Sequence, residues 1–559
     1  MPTSSVLIGY KDLFELKTKT QRIDLLKGVC KTHIIAELAG LNYRIKGYKN
    51  KILDTNFETQ QDELFYFCGK NEIIYKKYAH ILDLKIKGRK SFIFSRQTCL
   101  FALEEISQLD LLIIPEFKMS DKISHWESIL LYILQVNDEV TKIDESLPNQ
   151  PINFETLNPK LLPISELMII NDPFYIVYRG WNLLIYLTVN IETRSIVKNY
   201  FEETYNTTYE RFLYEILRMW MANNQEKDEL KFYYILPENE KFKHLFDKLS
   251  DKFINSETYK LLNIRKNPFF KSEENTYVLT DLSNLLDKVY YQFINDFYFD
   301  KLRLMDNSLG KKFTMQDYKA IIGKFFEEYV NDKITYSFMF SNGFIIKTFN
   351  QLLVKKKGNL EIEIGDLYLR HENKVIFGEV KSSSIYDEEK YGGNIDKLYK
   401  NNRNLFFKTF GVNQLAANIK ALEENIEIVD IDFKNRKKIR LWPVIIFNEK
   451  AFQTPFMSQI FNERFKELMI DYNNKRIHVY PLVLLHISDL ENMEVSLNKN
   501  PDLIWELLSK NFTNESKFIP PFYFTLNGFD IRADYKRFRD KVEVLFEKFD
   551  NKNQIPTQI

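Results

Sequence analysis

The stretch EIEIGDLYLRHENKVIFGEVKSSS, residues 361–384, decides the fold prediction for the C-terminal half of this 559-residue chain. Residues 360–369 and 374–381 each alternate between apolar and polar side chains or run apolar, and the polar tetrapeptide HENK (371–374) separates them. A period of two is typical of β-strands, and a short polar break between two strands is typical of a hairpin. The sequence therefore predicts an antiparallel hairpin here.

The register of this hairpin brings acidic side chains together. If the hairpin closes around the Glu-Asn pair at 372–373, Asp366 lies directly opposite Glu379 and Ile364 lies opposite Lys381. Opposed Cβ atoms in neighbouring strands are roughly 4.5–5.5 Å apart. The register is an assumption, because Glu-Asn is a poor type I′ pair and a one-residue slip moves every side chain to the other face.

Side chains alternate between the two faces of a strand, so the same register also predicts which residues share a face. Asp366, Glu379 and Lys381 share one face, whereas Glu361 and Glu363 point to the other side. The apolar members of the first face are Ile362, Ile364, Tyr368, Val375 and Phe377. Two buried, facing carboxylates cannot both ionise without compensation. A divalent cation with Lys381 beside it would supply that compensation.

Asp366 followed by EVK (379–381) resembles the D…ExK signature of the PD-(D/E)xK nuclease superfamily. The proline of the superfamily's name is replaced here by Gly365. Two further features occur in the order that the resemblance requires. Upstream, GKFFEEYV (323–330) resembles the first core helix, in which a glutamate, here Glu327, approaches the metal.

Downstream of the hairpin, Gln414 in GVNQLAANIKAL resembles the glutamine that begins a core helix behind the site. The apolar runs LWPVIIF (441–447) and VYPLVLLHI (479–487) are rich in Val, Ile and Leu, as expected for strands buried on both faces. They would supply the remaining core strands. The resemblance covers about residues 312–490 and implies a restriction-endonuclease-like α/β (α+β) fold, a mixed sheet flanked by helices.

By this resemblance the chain is a Mg²⁺-dependent endonuclease that hydrolyses DNA phosphodiester bonds, with Mn²⁺ as a possible substitute. The implied metal ligands are Asp366, Glu379 and the carbonyl of Val380, and Glu327 would hold a second ion or a metal-bound water. Hard carboxylate oxygens suit Mg²⁺, which can activate water and stabilise charge on phosphate oxygens. Lys381 would orient or help deprotonate the water, and Gln414 would position Lys381 or the substrate.

Several alternatives remain open from the sequence. The hairpin could carry only a surface salt bridge, and the same fold could serve as a non-catalytic nucleic-acid-binding or assembly module. The substrate could also be RNA. Glu327 could be an exposed neighbour of Glu328, and Gln414 could be an ordinary helix residue. A large additional region fused to such a nuclease resembles bacterial restriction or anti-phage defence effectors. A partner protein or ATPase from the same operon, or a homodimer, is therefore possible.

Basic residues near the predicted site favour contact with nucleic-acid phosphates. Residues 311–448 contain 23 Lys and Arg against 18 Asp and Glu. The candidate phosphate contacts are Lys355, Lys356, Lys357, Arg436, Lys437 and Lys438. Such contacts would make affinity depend on salt concentration. The alternative for each patch is a solvated loop.

Four regions are predicted along the chain. Residues 1–139 are expected to be mixed α/β with strands near 64–67 and 91–94. Residues 140–310 should be mainly helical after an irregular connector at 140–165, and 491–559 should form a C-terminal helical extension. The predicted nuclease-like domain at 311–490 lies between them.

Composition excludes several classes of protein. The chain is 45% hydrophobic and 28% charged with a net charge of +1, which argues against wholesale disorder and means that any nucleic-acid role depends on local patches. Only 17 Gly and 16 Pro favour long helices over turn-dense β architectures. Three scattered cysteines without CxxC, no visible signal peptide and no long apolar run predict a cytoplasmic protein away from the membrane.

Overall fold

The computed structural model divides the chain into two units. One comprises Met1–Ser146, Ile176–Leu302 and Asp540–Ile559, and the other comprises Leu147–Tyr175 and Arg303–Arg539. The residues that the structure describes are 6–14, 21–45, 57–69, 71–86, 89–109, 123–140, 172–223, 232–237, 242–250, 261–355, 361–384, 403–435, 438–454, 457–512 and 519–550. In these ranges no helix is long and apolar enough to cross a bilayer. The connector predicted at 140–165 lies almost entirely outside them.

The part of the chain before residue 303 is mostly helical. Its helices are α1 (Lys31–Arg44), α2 (Phe57–Phe67), α3 (Glu72–Asp83), α4 (Arg96–Gln108), α5 (Ile123–Val140), α6 (Pro173–Val189), α7 (Arg194–Tyr205), α8 (Tyr209–Asn223), α9 (Lys243–Leu249), α10 (Leu262–Lys266), α11 (Leu282–Asp287) and α12 (Tyr291–Asp300). Its strands are β1 (Val6–Leu7), β2 (Lys85–Ile86), β3 (Arg89–Phe92), β4 (Tyr233–Ile235), β5 (Phe269–Glu273) and β6 (Thr276–Leu279).

Two expectations for this part need correction. The strand predicted at 64–67 is wrong, because these residues form the last turn of α2. Leu64 and Phe67 are both fully buried and three residues apart, which is the spacing of one helix face. The mainly helical region at 140–310 also contains β4, β5 and β6, which form a small antiparallel sheet. In contrast, the strand predicted at 91–94 overlaps β3.

From residue 303 onward the chain follows the predicted order of helix, strands, helix, strand, helix, strand and terminal helices. The helices are α13 (Met315–Ser337), α14 (Arg403–Thr409), α15 (Val412–Val429), α16 (Met457–Leu468), α17 (Ile487–Lys499), α18 (Leu503–Phe512), α19 (Phe522–Gly528) and α20 (Lys536–Asp550). The strands are β7 (Phe344–Thr348), β8 (Leu353–Lys355), β9 (Glu361–Glu363), β10 (Leu367–His371), β11 (Lys374–Lys381), β12 (Ile439–Phe447), β13 (Ile477–Val479) and β14 (Val483–His486).

A mixed sheet forms the centre of this region, so the predicted mixed α/β class is confirmed at that level. The strand order is β13-β12-β11-β10-β7, and β14 also pairs with β12. β7, β10 and β11 are antiparallel neighbours, whereas β11, β12 and the last two strands run parallel. The run at 479–487 is therefore not one strand. It is interrupted at Tyr480–Leu482, where the backbone N–H of Leu482 bonds the side chain of Asn462 instead of the sheet.

The predicted hairpin is confirmed, and so is its register from Leu367 to His371 and from Lys374 to Gly378. Leu367 pairs with Gly378 and His371 pairs with Lys374, so the turn lies at 372–373. Glu372 adopts the left-handed conformation that such a turn requires, with φ 52°. The predicted apolar face is also confirmed for Ile364, Tyr368, Val375 and Phe377, which share one core cluster.

The strand predicted at 360–369 is broken in the middle, which corrects one part of the register. Residues 361–363 pair with β8, not with β11. Ile364 bonds the carbonyl of Leu352 through its N–H, so it does not pair with Lys381. At Gly365 a Cβ atom would lie 2.6 Å from the ring of Phe377, so only glycine lets the chain pass this close.

Candidate active site

The site lies where β11 ends and β10 begins. Lys381 is the last residue of β11, and Glu379 lies two residues before it on the same face of the strand. Asp366 immediately precedes β10. The backbone N–H of Val380 donates a 2.7 Å hydrogen bond to Asp366 Oδ2. This contact fixes the Asp366 carboxylate at the end of the neighbouring strand. The three side chains predicted to share a site therefore do meet.

Lys381 joins the two carboxylates. Its Nζ donates to Glu379 Oε2 at 2.8 Å and lies 3.6 Å from Asp366 Oδ2. The side chain of Glu379 is fully buried, and those of Asp366 and Lys381 are 10% and 17% exposed. This arrangement differs from an exposed surface salt bridge. Mostly buried charges interact more strongly than the charges of an exposed pair, because the effective dielectric constant around them is lower.

Burial changes the proton affinity of these groups. The pKa of Glu379 is raised to about 7, because burial and the nearby Asp366 raise it by more than Lys381 lowers it. Burial alone would lower the pKa of Lys381, but Glu379 and Asp366 outweigh it and the pKa is raised. Lys381 is therefore an ammonium group at neutral pH. Perturbed carboxylates beside a fixed cation are characteristic of functional sites, although structural networks also produce them.

Glu327 faces this group from α13. It is half-buried, whereas its neighbour Glu328 is exposed. Gly323, one turn earlier on the same helix face, lies against Ser382, whose Oγ would be 3.5 Å from an added Cβ. Burial raises the pKa of Glu327, and the charge of Asp366 contributes to the shift. The structure thus places Glu327 within electrostatic range of the predicted site.

Glu363 is a member of the site that the sequence did not predict. Alternation along an unbroken strand placed it on the opposite face. The chain leaves the β10 line at Gly365, however, so the alternation does not continue across the break. The pKa of Glu363 is raised by burial and then by Asp366, and Lys381 acts against the rise. Gly365 before the aspartate was the one sequence signal that could have indicated this break.

Helix α15 contributes an amide that the sequence did not predict, that of Asn418, and the role predicted for Gln414 stays a prediction. Asn418 Nδ2 donates a 2.7 Å hydrogen bond to Glu379 Oε1. Gln414 lies one turn earlier on the same helix and is exposed. At the start of the helix, Gly411 has φ 82° and packs so closely that a Cβ would lie 2.6 Å from Lys381 Cε. The beginning of α15 therefore holds both Glu379 and Lys381.

The remaining predicted positions are only partly described. The backbone of Lys355 lies at the end of β8, and Lys438 is exposed just before β12. Lys356, Lys357, Arg436 and Lys437 lie outside the described residues. For Val380 the structure describes the N–H contact to Asp366, and its carbonyl as a metal ligand stays a prediction.

The donor set fits a hard divalent cation. Within the described ranges, no group of three or more His, Cys, Asp or Glu side chains has the geometry of a preformed metal cluster. Mg²⁺, however, is often held by one or two carboxylates and completes its shell with waters and substrate phosphate. Asp366 and Glu379 supply those oxygens. Burial raises the pKa of Glu379, Glu327 and Glu363 most, and the negative charge of Asp366, which a cation would offset, raises each of them as well.

Comparisons with family models, with curated proteins and with solved structures found no match for this chain. No relative therefore supplies an activity, a substrate or a partner.

Proposed function

We propose that the region from residue 303 to 539 is a metal-dependent nuclease that hydrolyses DNA phosphodiester bonds. The observation that carries the proposal is the convergence of three side chains at the end of an apolar sheet face. The carboxylates of Asp366 and Glu379 both lie within 3.6 Å of Lys381 Nζ. The order of elements supports it as well. The order expected of a restriction-endonuclease-like core is a helix, antiparallel strands, a second helix and a parallel strand. The chain has α13, then β7, β10 and β11, then α15 and then β12.

Asp366 and Glu379 would hold the cation, and Glu327 would hold a second ion or an ordered water. A bound Mg²⁺ would supply charge stabilisation at the phosphate oxygens. In the hydrolysis, a water oxygen forms a bond to phosphorus, one phosphorus–oxygen bond to the sugar breaks, and the released oxygen takes up a proton. These residues favour that reaction because they are already fixed by hydrogen bonds before substrate arrives.

Lys381 acts through its positive charge in this proposal. Its raised pKa makes it a poor acceptor of a proton from water, so we assign it to orienting the water and neutralising charge on the phosphate. Asn418 holds Glu379 from the other side. Fixing both oxygens of Glu379 limits its rotation, which favours a defined position for a bound cation.

The test is incubation of the full chain with supercoiled plasmid, single-stranded DNA and RNA in Mg²⁺ or Mn²⁺. Asp366→Asn, Glu379→Gln and Lys381→Met should each abolish cleavage, because each removes a metal ligand or the ammonium group. Glu328→Gln is the matched control, since Glu328 is exposed beside Glu327. Cleavage that survives Asp366→Asn would exclude this site.

The same assay separates the alternatives. Cleavage of RNA alone would assign the substrate to RNA. Salt-sensitive binding of DNA with no cleavage in either ion would favour a non-catalytic binding module on the same scaffold.

A further inference from the structure

A cavity lies at the edge of the central sheet, away from the carboxylates. Its volume is ≈ 400 Å³, within the range of small-ligand pockets. It is formed by the end of α16, the connection after it, and β13 with the residues that follow. The lining residues are Phe465, Lys466, Met469, Tyr472, Asn473, Asn474, Ile477, His478, Val479, Tyr480 and Pro481.

The sheet register shows that this cavity is a separate site. Leu441 pairs with Val479, whereas Ile445, four residues later on the same strand, pairs with Glu379. Four residues along a strand and two strands across correspond to a separation of roughly 16 Å. The cavity therefore cannot share a small ligand with Glu379.

The chemistry of the lining favours a flat ring. Tyr480 stacks in parallel on Trp442, with ring centroids 4.4 Å apart and an interplanar angle of 8°. His478 meets the same tyrosine edge-on at 4.7 Å. Tyr472 and Phe465 supply two more rings to the lining. Aromatic side chains that are already fixed by stacking can bind a planar heterocycle with little loss of conformational freedom.

The charge of the lining favours an anion. Among the described residues that line the cavity, none is acidic, and the two that can carry positive charge are Lys466 and His478. Both side chains are exposed at the rim. Lys466 lies 3.2 Å from Glu463 in an exposed ion pair, which contributes little and can be exchanged for a ligand anion.

The loop between α16 and β13 forms one wall of the cavity, and hydrogen bonds hold this loop in place. Asn474 Oδ1 accepts hydrogen bonds from the backbone N–H groups of Arg476 at 2.6 Å and of Ile477 at 2.9 Å. Its Nδ2 also contacts Glu423 on α15. The amide of Asn474 is therefore used to fix the loop, and Asn473, which is exposed, is the lining amide placed to meet the edge of a ligand ring.

We propose that this cavity binds a nucleotide, with the base against the aromatic lining to which Tyr480 and Tyr472 contribute and the phosphate at Lys466 and His478. The nucleotide could come as a free mononucleotide or as part of a nucleic-acid strand, since both present the same base and phosphate. Base stacking on aromatic side chains tolerates every base, so no base preference follows from stacking alone. The proposal does not require the region to cleave DNA.

The test is calorimetric titration of the full chain in EDTA, which prevents metal-dependent turnover. The probes are adenosine 5′-monophosphate, adenosine, ribose 5-phosphate and a short single-stranded DNA. Adenosine monophosphate should bind, and adenosine and ribose 5-phosphate should each bind at least tenfold more weakly, because each lacks one recognised group. Binding of the oligonucleotide but not of the mononucleotide would identify a strand as the source of the ligand.

Variants at the exposed rim keep the result interpretable. Lys466→Ala should weaken mononucleotide binding about tenfold while leaving adenosine binding unchanged. His478→Ala should weaken the binding of both, because His478 also packs against Tyr480. Lys475→Ala is the matched control because Lys475 is exposed nearby but does not line the cavity. Tyr480→Ala, checked by thermal unfolding, should weaken both ligands. Failure of all four probes to bind, or equal binding by the Lys466→Ala and unmodified chains, would overturn the proposal. Asp366→Asn should leave binding unchanged, so failure of nuclease activity and failure of this proposal are distinguishable.

Discussion

Substituting Gly411 by alanine should inactivate the proposed nuclease with only a small loss of stability. Gly411 begins α15 in the left-handed region, with φ 82°, and directly faces the methylene chain of Lys381. An alanine Cβ would lie 2.6 Å from Lys381 Cε and 3.2 Å from its Cγ. Real carbon atoms pack at about 3.5–4.0 Å, so Lys381 must move by roughly 1 Å.

The two effects of this substitution have different magnitudes. A non-glycine residue in the left-handed region costs about 1–2 kcal/mol of stability. Movement of a flexible lysine side chain adds little to that figure. The same movement, however, changes the contacts of Nζ with Glu379 and Asp366, which are 2.8 Å and 3.6 Å long. A misplacement of about 1 Å in an active site can reduce the rate by about 100-fold.

Gly310 provides the matched control in the same unit. It is also left-handed, with φ 69°, and an added Cβ would meet nothing within 4 Å among the described residues. Gly310→Ala and Gly411→Ala should lose similar stability in urea unfolding, about 1–2 kcal/mol each. Only Gly411→Ala should lose cleavage. Gly411→Asn, which tolerates this φ better, should recover stability without recovering activity.

The decisive comparison is the ratio of cleavage rates for the two alanine variants under saturating Mg²⁺. Equal rates would show that the position of Lys381 does not limit the reaction. A loss of activity that tracks the loss of stability in all three variants would assign the effect to folding and not to Lys381.

Three further expectations follow from the same structure. Asn418→Ala should reduce cleavage at least tenfold because Glu379 loses a 2.7 Å hydrogen bond. Gln414→Ala, which removes the exposed amide one turn earlier, should reduce cleavage less, and an equal loss in both variants would contradict the assignment of Asn418. The pKa of Glu379 is raised from 4.5 to about 7, mainly by burial, so the folded chain binds this proton more tightly than the unfolded chain. The free energy of unfolding should therefore fall as the pH rises from about 4.5 to about 7. Urea unfolding at pH 5 and pH 8 measures this fall, which should be smaller in Glu379→Gln. Asp430→Asn should destabilise by about 3–5 kcal/mol because it removes the buried partner of the buried Arg370 and leaves only the exposed Asp432, 3.7 Å away. Asp530→Asn, in an exposed pair, should change stability by less than about 1 kcal/mol, and equal melting temperatures would refute the difference.

The sequence predicted the hairpin well because several local signals agreed. A buried face on one side restricts the register, and the pairing of Leu367 with Gly378 follows from the turn at 372–373. The break at Gly365 was not predictable in the same way, since it depends on the ring of Phe377 from another strand. For that reason Asp366 was placed correctly and Glu363 was not.

The strand predicted at 64–67 failed for a related reason. Four consecutive apolar or aromatic residues are compatible with a buried strand and with one turn of a buried helix. Phe57–Phe67 forms a helix because its buried positions follow a helical spacing over the whole segment, with Leu64 and Phe67 at 0% exposure. A window of four residues cannot show that period. The sequence also did not indicate Asn418, because only the packing of α15 beside β11 brings its amide to Glu379.

The site places several carboxyl groups near the ammonium group of Lys381, which lowers stability unless a bound cation offsets their charge. Among the described residues, the charge of Asp366 raises the pKa of Glu327, Glu363 and Glu379, and the ammonium group of Lys381 opposes the rise in each. Burial and mutual repulsion raise the pKa of three of these carboxyls, so their ionisation lowers the stability of the folded chain. A buried arrangement with unbalanced charge is less stable than an apolar or neutral one of similar shape. Replacing Glu379 by glutamine should therefore stabilise the metal-free protein at pH 8 while it abolishes cleavage, a combination expected when residues are retained for catalysis.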